Sequence, residues 1–150
     1  MIIDQQFTID APLERVWAFM LDIPTMSTCV PGVESVEEQA PGVYDGILGV
    51  RVGPVSVRLE GRVAIDEQDD QARRARMTIE ATDRRIRGAV NARTTMQLRA
   101  LDDGHTELQL HTDAAILGRL GQFGQAVIRK KADQVMTEFA ANVRRRLTAH

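Results

Sequence analysis

From Ile116 to Leu147 the chain runs ILGRLGQFGQAVIRKKADQVMTEFAANVRRRL without a proline, and no other stretch restricts the fold as much. Leu117, Leu120, Phe123, Val127, Ile128, Val135, Phe139, Val143 and Leu147 recur mostly at gaps of three or four. That spacing predicts one helix of about eight turns with a single apolar stripe, long enough to span a domain. Gly118, Gly121 and Gly124 fall in its first turns. Each costs roughly 1 kcal/mol against alanine inside a helix, so three together need a reason. Two readings stand: close approach of a strand or room for a ligand, against a frayed helix start.

Ahead of this segment the period drops to two. Val55, Val57, Leu59, Gly61, Val63 and Ile65 alternate with mostly polar partners, the pattern of a strand with one wet face. The same alternation runs through Tyr44–Val52, Ala75–Ala81, Val90–Leu98 and Leu108–Ile116. Turn chemistry separates the runs at Ala40-Pro41-Gly42, Gly53-Pro54, Gln68-Asp69-Asp70 and Asp102-Asp103-Gly104. Before them, Ile2–Ile9 reads as a first strand. Asp10 or Ala11 then caps a helix with Pro12 at its first position and an apolar face of Leu13, Val16, Trp17, Met20 and Leu21. Asp22-Ile23-Pro24 ends it, and one further turn fits before Pro31-Gly32. A strand, two short helices, about six antiparallel strands and a long helix form an α+β domain over residues 1–150. The one-sided sheet must cover its apolar face, and the long C-terminal helix is available to do so. The curved sheet therefore wraps around that helix.

The inward strand positions are aliphatic, Met, Gly, Ala and Thr, with Tyr44 as the aromatic and no charged residue counted among them. Aromatic residues make up only 4% of the chain, so large core fillers are scarce. With Gly46, Gly61, Gly88, Ala92 and Ala114 facing inward, the space under the helix is either an apolar pocket with a few hydroxyls or a core tight against helix backbone. On the pocket reading the lining is Trp17, Met20, Val30, Tyr44, Leu48, Val50, Leu59, Met77, Met96, Leu120, Phe123 and Val127.

Catalytic and metal chemistry has little to build on. His105 sits in a turn signal, His111 alternates outward and His150 ends the chain, so no pair has ligand spacing. Cys29 is the single cysteine; its neighbours supply no base, and it reads as a buried, inert thiol. Ser27, Ser35 and Ser56 lack partners for nucleophilic work. Arginines cluster between Arg73 and Arg87, but without interleaved aromatics and with a net charge of −2 they do not suggest nucleic-acid binding. From Gly118 onward, seven Lys or Arg stand against Asp133 and Glu138. Arg144, Arg145 and Arg146 suit the negative end of the helix dipole, or alternatively an anionic surface. No apolar run approaches the ~20 residues of a membrane helix and no basic leader precedes Ile2, so a cytoplasmic protein is expected.

Longer motifs run nearly end to end. They are AP-x-x-x-VW at Ala11 to Trp17, CVPGVESVE at Cys29 to Glu37, Y-x-G at Tyr44 to Gly46 and RVGPVSVRLEG at Arg51 to Gly61. GHTEL at Gly104 to Leu108, ILGRLGQFG at Ile116 to Gly124 and F-x-x-N at Phe139 to Asn142 follow. With them the chain resembles the CoxG family, named for the G subunit of carbon monoxide dehydrogenase, within the START-like (SRPBCC) helix-grip superfamily. The resemblance implies a non-enzymatic accessory protein of a carbon monoxide dehydrogenase-type molybdenum hydroxylase. It implies a hydrophobic ligand, quinone-like or lipid-like, held between sheet and helix, with peripheral membrane contact; the residues themselves suggest no cofactor or metal. The alternatives are a cyclase or hydrolase of the same fold, or a pure membrane or partner docking module. Longer family members carry a membrane-binding C-terminal segment, whereas this sequence stops at His150.

Overall fold

The computed structural model describes residues 1–148. Strand β1 (Ile2–Ile9) leads into helices α1 (Leu13–Leu21) and α2 (Ile23–Ser27). Six strands follow: β2 (Val33–Ala40), β3 (Val43–Val52), β4 (Val55–Asp69), β5 (Arg74–Asp83), β6 (Gly88–Asp102) and β7 (His105–Gly118). A 3-10 turn (Arg119–Phe123) connects β7 to helix α3 (Gln125–Thr148). All neighbouring strands pair antiparallel in one sheet of order β1-β7-β6-β5-β4-β3-β2, the meander that short turns between alternating segments dictate. This is the helix-grip arrangement.

The long helix begins later than its periodicity predicts. Residues 116–118 complete β7, and the chain then turns twice, at Gly118 (φ 65°) and Gly124 (φ 87°), before α3 starts. A side chain at Gly118 would collide with the Arg87 carbonyl, so that glycine marks a close approach between β7 and the β5–β6 turn. The helix packs through its C-terminal half, where Phe139, Ala140, Val143 and Leu147 are buried.

Two apolar clusters fill the inward face. The larger joins α1, α2 and α3 to the sheet around Val16, Met96, Leu108, Phe139 and Val143. The smaller sits at the far end, where Leu120 of the 3-10 turn covers Val52 and Val57. Burying a side chain of this size contributes roughly 1.5–3 kcal/mol, and the two clusters together hold the helix on the sheet.

The basic helix end has a structural job. Arg144 donates to the Thr8 carbonyl (2.8 Å) and Arg146 to the Thr28 hydroxyl (2.8 Å), while Arg129 reaches the Ile2 carbonyl (2.8 Å). Arg129 and Arg144 thereby satisfy acceptors along the β1 edge, which blunts it against further pairing.

One inward position departs from the uncharged row. Asp83, 3% exposed, ends the β5 series that begins at Ala75. Its carboxylate accepts from the backbone N–H of Arg58 (2.8 Å), Arg85 (2.9 Å) and Ile86 (3.2 Å). The Arg58 bond, followed by those of Ile86 and Arg85, holds its pKa below the usual carboxylate value despite burial.

Candidate functional site

Between the two clusters the inward face is left unfilled. The gap is a cavity of about 370 Å³, bounded by the sheet, α2, the β2 edge and the middle of α3. Its floor follows from register. Gly46 pairs with Gly61, Gly61 with Ala81 and Ala81 with Val90, so three of four positions in one cross-strand row carry a methyl group or less. Leu48 and Leu59 flank that row on one side, and Tyr44 and Val63 on the other. Met20 and Ile23, Met26 and Val30, and Met136 and Phe139 close the helical side. A sealed void of this volume would cost on the order of 9 kcal/mol at the usual penalty per Å³ of residual cavity. A mouth open to water lowers that cost, and the volume falls within the range of small-molecule sites.

The polar groups in the lining are few and mostly neutral. Thr94 and Thr112, cross-strand partners, hydrogen-bond through their hydroxyls at 3.0 Å. Ser27 donates to the Pro24 carbonyl at 2.9 Å. Burial, then the nearby Glu38 carboxylate, raises the Tyr44 pKa, so the phenol stays protonated as a neutral donor. Arg62 and Asp45 contribute the charges of this lining, and they pair with each other at 2.9 Å, Asp45 being 43% exposed and Arg62 58%. Such a surface can hold an apolar body and orient a neutral oxygen. It offers no unpaired base for proton transfer.

Of the twelve residues selected from sequence, Met20, Val30, Tyr44, Leu48, Leu59 and Met77 line this cavity. The other six lie elsewhere. Trp17 is buried and donates from Nε1 to Asp70 (3.0 Å), which anchors the β4–β5 turn to α1. Met96 is fully buried in the larger cluster. Val50 pairs with Val57 beneath the 3-10 turn, where Leu120 and Phe123 pack on it, and Val127 is 44% exposed at the start of α3. The turns at Gly118 and Gly124 fold Leu120 and Phe123 over the smaller cluster and leave Val127 on the exposed first turn of α3. Met136 and Phe139 take their place in the lining. Gly118, Gly121 and Gly124 likewise stand outside it.

The α2–β2 wall is held from two sides. Asn142 donates to the Cys29 carbonyl (2.9 Å), joining the F-x-x-N and CVPGV motifs across 113 residues. On the other side the Gly49 N–H donates to the Gly32 carbonyl (2.8 Å). Gly32 has φ 91°, and a Cβ there would strike the Gly49 carbonyl oxygen. Asn142→Leu is expected to lower stability by about 1–2 kcal/mol, because the Cys29 carbonyl loses its donor at a buried residue. Thermal unfolding measures it; an unchanged midpoint would show that the wall is held without Asn142.

Comparisons with known proteins agree with this geometry. A sequence model for the G subunit of carbon monoxide dehydrogenase (CoxG) matches residues 6–148. No curated protein matches the chain at a significant level. Among solved structures, a conserved protein from Geobacillus kaustophilus aligns with a TM-score of 0.89 at 18% identity, over 98% of this chain and 95% of that one. A START superfamily protein from Mycobacterium smegmatis aligns at 0.71 and 11% identity, over 97% and 96%. The Zhui aromatase/cyclase from Streptomyces sp. R1128 aligns at 0.67 and 20% identity, over 99% and 96%. These likenesses show the fold.

Proposed function

We propose a function from one premise: the chain belongs to the CoxG family, that of the carbon monoxide dehydrogenase G subunit. On that premise it is a non-enzymatic accessory protein that holds a hydrophobic small molecule, quinone-like or lipid-like, between sheet and helix. The enzyme it serves is a carbon monoxide dehydrogenase-type molybdenum hydroxylase. The observation that carries the reading is the cavity lining, apolar except for neutral hydroxyls, the Gln5 amide and one self-paired ion pair. Leaving a carboxylate or ammonium unpaired in such a site is costly, so the preferred occupant is uncharged. The Thr94–Thr112 pair and Tyr44 supply hydroxyls for a carbonyl head group. No helix among the described residues is long and apolar enough to cross a membrane.

The aromatase/cyclase of similar fold defines the competing reading, an enzyme that transforms its ligand. Native mass spectrometry of protein taken from cells separates the two. A retained quinone or lipid, released unchanged on denaturation, is the expected result. A ligand converted during incubation would overturn the non-enzymatic assignment. Protein that carries nothing and takes up no short-chain menaquinone would overturn the carrier. Mass is a better readout than Trp17 fluorescence, since that indole lies outside the lining.

A further inference from the structure

One end of the sheet gathers arginines that the linear sequence scatters. Asp10, Asp69, Asp70, Asp102 and Asp103 gather around the β1–α1, β4–β5 and β6–β7 turns. Arg73, a cation of that region, bonds Glu14. The opposite end carries Arg51 before the β3–β4 turn, Arg84, Arg85 and Arg87 in the β5–β6 turn, and Arg119 after β7.

Backbone contacts make these five arginines contiguous. Arg51 pairs with Ser56 across β3 and β4, and the Arg85 guanidinium donates to the Ser56 carbonyl. The Arg119 N–H donates to the Arg87 carbonyl at 3.1 Å. All five side chains are exposed, and among the described residues none forms an ion pair. Of the carboxylates near this end, Asp83 is buried and occupied by three backbone N–H groups, and Glu34 and Glu60 pair with Arg58. Leu117, 46% exposed, stands two residues before Arg119, and half-buried Ile86 lies between Arg85 and Arg87.

We propose that this arginine end is a docking face for an acidic, carboxylate-presenting protein surface. Arginine is among the residues enriched at protein interfaces, and the five here have no ion-pair partner among the described residues. The guanidinium fork matches carboxylates in a bidentate geometry that an ammonium cannot reproduce. A lipid surface fits less well. Membrane-surface segments carry exposed aromatic or large apolar anchors. Here no aromatic side chain among the described residues is exposed: Trp17, Tyr44, Phe19 and Phe139 are buried, Phe7 and Phe123 are half-buried, and Leu117 is the patch's exposed large apolar residue. That the partner is the enzyme served by this protein rests on the accessory reading above; the docking face does not.

The test uses the full chain, isotope-labelled, with a synthetic Glu-rich peptide carrying interspersed Leu as the probe. Vesicles of phosphatidylglycerol and phosphatidylcholine form a second arm. Saturable amide shifts confined to residues 51–56, 84–89 and 117–119 are expected, weakening with added salt. The triple variant Arg84→Glu, Arg87→Glu, Arg119→Glu should bind at least about tenfold more weakly, while Asp102→Lys with Asp103→Lys should not lose affinity. A circular dichroism melt checks that both variants fold. No peptide binding, equal binding by the triple variant, or shifts centred elsewhere would overturn the proposal. So would vesicle flotation that needs the same arginines and exceeds peptide binding, because the face would then belong to a lipid surface. A failed ligand-uptake experiment leaves this result unaffected.

Discussion

Asp83→Ala is expected to lower the stability of the folded chain by about 3 kcal/mol, since three backbone N–H groups lose one shared acceptor. For a chain of this size that corresponds to a fall of roughly 6–12 °C in Tm. Asp83→Asn keeps one acceptor oxygen and should cost less, about 1 kcal/mol. The pH dependence follows from sign. Asp83's folded pKa is lowered, first by the Arg58 N–H, so its contribution is complete above the ordinary carboxylate range. It is lost as pH falls through the lowered folded-state value. The gap between wild type and Asp83→Asn should therefore narrow in acid, read by denaturant unfolding across pH. An Asp83→Ala protein as stable as wild type would mean that water replaces the carboxylate, and that the β5–β6 turn closes without it.

Asp83 also shows where sequence reading stops. Its place in the inward series Ala75, Met77, Ile79, Ala81 is arithmetic, but an aspartate beside Arg84 and Arg85 reads as an exposed turn. Only the fold brings the Arg58 N–H to it, from a strand 25 residues away. The meander itself was legible because alternation and Pro-Gly turns are local signals. The start of α3 was not. Leu117, Leu120, Phe123 and Val127 keep helical spacing whether or not the chain is helical, and the positive φ values at Gly118 and Gly124 override that spacing. The error carried straight into the site, moving the helical lining from Met136 and Phe139 to residues that cover the smaller cluster. Register alone brings Tyr44, Leu48, Leu59 and Met77 to the cavity wall. Val50 and Met96 show the remaining limit: an inward direction does not say which neighbour fills the space above it.

Ala81→Phe is the substitution expected to affect ligand holding most. Ala81 lies in the row Gly46, Gly61, Ala81, Val90, whose small side chains leave the cavity floor low. A benzyl group rising from that floor would occupy volume now open to a ligand. Because it fills a void and displaces no packed side chain, stability should hold or rise by up to about 1 kcal/mol. Uptake of a short-chain menaquinone should fall by more than about tenfold, equivalent to about 1.4 kcal/mol, measured by native mass spectrometry against wild type. Thr94→Val with Thr112→Val supplies the complementary case. It preserves shape and removes both hydroxyls, so the fold should tolerate it while carbonyl-bearing ligands lose more affinity than hydrocarbons of equal size. The two variants thus separate space from hydrogen bonding. If Ala81→Phe takes up the quinone as tightly as wild type, the ligand sits elsewhere and the cavity between sheet and α3 is not the site.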